Sequence, residues 1–168
     1  MTKNTIYIIL AISLWACGPD ATKDASQNTE EKPVVEDAAA PINKSDTIQI
    51  IATGANMSEM KFDIKAIRVP ANKEITVELK NESTDATMPH NIVFIQKGTA
   101  NDVGQGGLRH KENSYVNPED KNVIAHSPLA QIDETVYFTF TTPAIGDYEF
   151  ICSYPGHWGF MKGKFITR

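Results

Sequence analysis

Cysteine is scarce in this sequence: Cys17 and Cys152 are the two in 168 residues, so a framework of several disulfides is excluded. Basic residues are fewer than acids, 16 against 21, and they are scattered. No cationic run can follow a phosphate backbone, which argues against nucleic acid as a partner. Long apolar runs are missing too, since the most apolar stretch, Ile6 to Trp15, is too short to span a bilayer. The length fits one ordinary domain plus tails and is too short for two large domains.

The chain opens like an export signal, with Lys3 as a short positive region, the apolar stretch, and then Ala16-Cys17. "LWAC" (14–17) resembles a bacterial lipoprotein signal, which implies cleavage after residue 16, lipid on Cys17 and attachment to a membrane. Cys152 would then be left without an intrachain partner in an exported protein, so it needs another reason to be there. From Cys17 to Asp46 the composition is Ala, Asp, Glu, Lys, Ser, Thr and Pro without periodicity. Such a segment buries too little apolar surface to offset its ordering entropy and reads as a flexible tether, with a coil reach on the order of 30 Å.

Residues 47–168 read as the folded module. Short alternating runs separated by turn signals give seven candidate strands: 47–53, 60–69, 73–81, 91–96, 134–141, 147–153 and 162–168. That pattern predicts an all-β Greek-key sandwich with one face of each sheet buried. Ile75, Val77 and Leu79 alternate with polar residues, as do Val136, Phe138 and Phe140. Between Lys97 and Asp133 lies a Gly-rich polar flap, too long for a simple hairpin. Asn117-Pro118-Glu119-Asp120 offers a cap followed by Pro and acids, so the expectation is a helical turn around Pro118–Asn122.

The stretch "CSYPGHWGFMKG" (152–163) places a thiol, an imidazole and a thioether at intervals of five and four residues, as Cys152, His157 and Met161. A lone buried cysteine is commonly a small core hydrophobe. Joined by His and Met at this spacing it becomes part of a soft donor set, suited to copper rather than magnesium or calcium. Two histidines and a cysteine with a long axial methionine form a blue-copper electron-transfer centre. The second histidine is His90 in "MPHNIVFI", which opens a strand directly after a proline. Tyr154-Pro155-Gly156 supplies the turn that folds His157 back towards Cys152. His110 and His126 lie in the flap without partners at ligand spacing, and Met57 and Met60, at a strand start, read as core packing.

These motifs carry a resemblance. "CSYPGHWGFMKGKF" resembles the ligand loop of azurin-type cupredoxins, "PHNIVF" is similar to the first-histidine motif shared with plastocyanins, and "VIAHSPL" (123–129) is azurin-like. The resemblance implies a cupredoxin of the azurin and auracyanin group. It implies one type 1 copper held by His90, Cys152, His157 and Met161, with the Asn91 backbone amide bonded to the thiolate. Two departures from azurin stand out: Pro89 replaces a glycine whose carbonyl approaches the copper, and the azurin disulfide has no cysteines to form it.

The implied function is a single-electron carrier at the cell envelope rather than an enzyme, because four fixed ligands leave no open position for a substrate. Electrons would pass through the outer edge of His157, ringed by Met88, Pro155, Trp158, Gly159 and Phe160, where redox proteins dock transiently. A copper oxidase or nitrite reductase needs a second copper site, for which four histidines and this length do not suffice. A copper-storage module would prefer more exposed Met or His. A metal-free adhesion sandwich leaves Cys152, His157 and Met161 unexplained.

Overall fold

The computed structural model describes residues 46–168, so the expected signal segment, Cys17 and all but the last residue of the expected tether lie outside the described residues. Among the described residues, nine strands form two sheets around a shared core. In chain order they are β1 (Thr47–Thr53), β2 (Lys61–Phe62), β3 (Ala66–Val69), β4 (Glu74–Asn81), β5 (Val93–Gln96), β6 (Val123–His126), β7 (Thr135–Thr141), β8 (Gly146–Ile151) and β9 (Lys162–Thr167). One helix, α1 (Ala100–Gly107), follows β5, and a 3-10 turn covers Lys111–Asn113. One sheet has the order β2-β1-β4-β7 and the other β3-β9-β8-β5-β6. The β1/β4 and β3/β9 pairs are parallel and the rest antiparallel.

Alternation explains the core between the sheets. Ile75, Val77 and Leu79 of β4 are at most 1% exposed, and the opposing register sets Val77 across from Phe138 and Leu79 across from Val136 on β7. Phe94 stands at the centre, with ring centroids 4.6 Å from Phe165 and 5.0 Å from Phe140. Fully burying each such ring contributes about 1.5–3 kcal/mol.

The run 60–69 divides into two strands. The Asp63 carboxylate accepts the Ile51 N–H at 2.8 Å, and the Asp63 N–H donates to the Ile51 carbonyl at 2.9 Å, which closes the β1/β2 pairing. The chain then crosses to the other sheet as β3, the corner that lets one chain segment serve two layers.

Two expectations fail in the flap. No helix forms at Pro118–Asn122: the Asn117 side chain accepts the Glu119 N–H at 3.0 Å and the Asp120 side chain accepts the Asn122 N–H at 2.9 Å, so the capping residues spend themselves on turns. The helix is instead α1, "ANDVGQGG", whose three glycines make it a poor helix former. Tertiary contact compensates, because the backbone at Gly104 approaches Trp158 so closely that a Cβ there would lie 2.3 Å from the indole Cδ2. The second failure concerns burial. Val93 and Ile95 on the outer face of β5 are as buried as Phe94 on the inner one, and with Val103, Val116 and Ile151 they form a second cluster beneath the flap.

Candidate metal centre

Three connections converge at one pole of the sandwich. His90 precedes β5 and exchanges both backbone hydrogen bonds with Ala130, at 3.1 and 2.7 Å, which pins its Cα before the strand begins. Cys152 follows β8 directly. The chain then turns, with the His157 N–H donating to the Tyr154 carbonyl at 2.9 Å, Pro155 second in the turn and Gly156 third at φ 85°. That is the pattern of a type II turn, where the third position needs a positive φ and glycine supplies it. Met161 returns to close the loop: its N–H donates to the His157 carbonyl and its carbonyl accepts the Cys152 N–H, both at 2.9 Å.

The turn brings the donors together. Cys152 Sγ lies 3.7 Å from His90 Nδ1 and 3.6 Å from His157 Nδ1, and the two nitrogens are 3.2 Å apart. All three residues are at most 1% exposed. Metal–nitrogen bonds of about 2.0–2.1 Å and a metal–sulfur bond of about 2.3 Å let one ion reach donors that lie within about 4 Å of one another. The donor triangle therefore fits one metal ion. Met161 is fully buried next to this loop.

Burial sets the protonation of the free donors. It pushes the Cys152 thiol up to about 12, against the pull of the Asn91 and Tyr154 backbone N–H groups directed at the sulfur. It lowers the His90 imidazole to about 4, helped by the neighbouring His157, and lowers His157 to about 4 as well. At neutral pH the imidazoles are uncharged, with lone pairs available. The Asn91 side chain fixes the surroundings. It donates to the Ser114 carbonyl at 2.7 Å and to Ser153 Oγ at 2.8 Å, and accepts the Ser153 N–H at 2.9 Å, tying the flap to both ligand segments.

A family model described as "Copper binding proteins, plastocyanin/azurin family" matches residues 49–168. The chain belongs to that family. It is 39% identical over 121 residues to auracyanin-A of Chloroflexus aurantiacus, covering 70% of this chain and 74% of that protein. It is 36% identical over 118 residues to outer membrane protein H.8 of Neisseria gonorrhoeae, covering 67% of this chain and 64% of that one. Among solved structures, the dithionite-reduced auracyanin of Roseiflexus castenholzii superposes with a TM-score of 0.66 at 33% identity, over 75% of this chain and 99% of that one. This cupredoxin is thus a mononuclear type 1 copper electron carrier. Bound copper supplies one-electron redox chemistry and keeps Cys152 as thiolate.

Several surface expectations are corrected. Met88 is 3% exposed and part of the core, and the His157 edge is covered rather than open. Trp158 is half-buried and packs against the cluster beneath α1. Met57, expected in the core, is 47% exposed, whereas Met60 is buried as expected. His126 donates its Nδ1–H to the Ser127 carbonyl and His110 lies by Glu112, both away from the donor triangle. Sequence reasoning missed Ser83, whose Oγ lies 2.9 Å from His90 Nε2, and Tyr154, whose ring centroid is 4.8 Å from that of His157. Tyr154 was legible only as a turn residue, and nothing in the sequence marks Ser83.

Proposed function

We propose that this protein is a lipid-anchored cupredoxin that carries single electrons at the cell envelope, with His90, Cys152, His157 and Met161 as its copper ligands and no catalytic activity. The observation that carries the site is the buried triangle of 3.2, 3.6 and 3.7 Å between two imidazoles and a thiol. A closed, preorganised donor set moves little between charge states and leaves no position for a substrate. Lipid on Cys17 and the tether to residue 46 hold the carrier at a bacterial membrane, a reading supported by the lipoprotein-like signal and by likeness to an outer membrane protein.

Partner proteins dock where the centre comes nearest the surface. His157 lines a shallow cavity of about 450 Å³ together with Met57, Asp85, Thr87 and Pro155. Phe160, 62% exposed three residues after His157, adds apolar area. A small apolar contact suits brief encounters. Addition of copper(II) to the metal-free protein tests the reading. A strong blue band that ascorbate bleaches, absent in Cys152→Ser, is the expected result, and a colourless wild type overturns it.

A further inference from the structure

His90 makes one side-chain hydrogen bond to a hydroxyl, since its Nε2 lies 2.9 Å from Ser83 Oγ. Both residues are buried, at 0% and 2% exposure. We propose that Ser83 is the positioning residue for His90, a hydroxyl that holds the ring in both the metal-free and the copper-loaded protein by reversing its role in this bond. The inference rests on the copper reading and deepens it.

A neutral imidazole carries one N–H. To ligate through Nδ1, His90 must keep its proton on Nε2, and a buried Nε2–H without an acceptor would be costly. Ser83 Oγ is that acceptor. In the metal-free protein the demand differs, because His90 Nδ1 and His157 Nδ1 sit 3.2 Å apart, and a hydrogen bond between them needs a proton on one of the two. When His90 is the donor its proton is on Nδ1 and its Nε2 is bare, and Ser83 then donates. A backbone carbonyl in the same place could only accept, whereas a hydroxyl serves both states by rotating its O–H. The count of protons on His90 is unchanged between them, and one moves from Nδ1 to Nε2.

The hydroxyl is held in place by a closed set of buried bonds. The Ser83 N–H donates to Asn81 Oδ1 at 3.0 Å. Asn81 Nδ2 in turn donates to the Met88 and Ala130 carbonyls, each at 3.0 Å. Ala130 is the bridge partner of His90, and Met88 lies two residues before it. Ser83 and His90 therefore share one frame, and side chains that hold a ligand's other nitrogen change metal affinity by about 10–100-fold.

The test compares the full chain with Ser83→Ala and Ser83→Thr, metal-free and loaded with copper(I). Long-range proton–nitrogen NMR correlations report which His90 nitrogen bears the proton. In the copper(I)-loaded wild type His90 should carry an Nε2–H that exchanges slowly with solvent. Ser83→Ala should speed that exchange, weaken copper(I) binding by about tenfold and shift the reduction potential, and Ser83→Thr should restore all three. If Ser83→Ala matches wild type in exchange, affinity and potential, the inference is wrong while a blue wild type keeps the copper reading intact. A fast-exchanging His90 Nε2–H in the loaded wild type also overturns it, without any variant having to fold. A wild type that stays colourless with copper(II) removes both.

Discussion

Val93 and Phe94 are neighbours on β5, and both are fully buried, yet they belong to different cores. Phe94 faces the space between the sheets, where residues from both layers meet by strand alternation. Val93 faces outward, and what covers it is α1, Val116 and Trp158. The first cluster is assembled by regular strands that would bury this face in any sandwich. The second exists because a long flap folds back over the sheet. The candidate site draws on both, since Cys152 and the neighbouring Met161 lie in the inter-sheet core while Trp158, next to His157, packs with the cluster beneath the flap. The ligand loop is thereby fastened from two sides, which keeps its donors in place whether or not a metal is bound.

The comparison breaks most visibly at Phe94. Phe94→Ala should destabilise the metal-free protein by about 3–5 kcal/mol in denaturant titrations, because it opens a cavity among four aromatic rings. A loss below about 1 kcal/mol would mean that the inter-sheet core is not the main source of stability.

Acidification probes the same core through the imidazoles. The folded metal-free protein holds His90 and His157 near 4, whereas an unfolded imidazole titrates near 6.5. Between those values the unfolded state binds more protons, so stability is fully present above pH 6.5 and falls as the pH drops towards 4. The loss should be on the order of 3 kcal/mol for either ring. His157→Gln should flatten the pH profile, and an unchanged profile would exclude His157 as a source.

The flap side is sharpened by Gly104. Gly104→Ala drives a methyl into the Trp158 ring, so it should cost about 1–3 kcal/mol by overpacking and shift Trp fluorescence, although alanine is the better helix former. If stability rises instead, α1 does not rest on Trp158. Phe160→Lys should have the smallest effect on folding, within about 0.5 kcal/mol, because the ring is exposed. Its colour should persist while electron exchange with a protein partner slows, since an ammonium is costly to desolvate at an apolar contact. Exchange at the wild-type rate would place docking elsewhere.

Much of the candidate site was legible because its signals are short in sequence. Cys152, His157 and Met161 share one loop, and the Pro-Gly turn between them is a local device whose geometry follows from two residues. His90 was picked out as the histidine that opens a strand directly after a proline, although nothing local to "PHN" indicates a partner 62 residues away. The flap helix was misplaced for a definite reason. Local capping signals favoured Pro118–Asn122, and the segment that became helical is rich in glycine, a disadvantage that vanishes only when Trp158 lies against it.

The sequence by itself determined the sandwich, through period-two alternation, and the chemistry of the donor set, through residue types that no fold can change. Tertiary structure decided which groups surround those donors. It buried Met88 and His157, turned Trp158 under α1, exposed Met57, and brought the Ser83 hydroxyl to His90 across a frame built by Asn81 and Ala130. Alternation and turn chemistry act between residues close in the chain. Burial and hydrogen-bond partnership at this site depend on β-strand register and on the flap's return, contacts between distant segments whose closure no local pattern encodes.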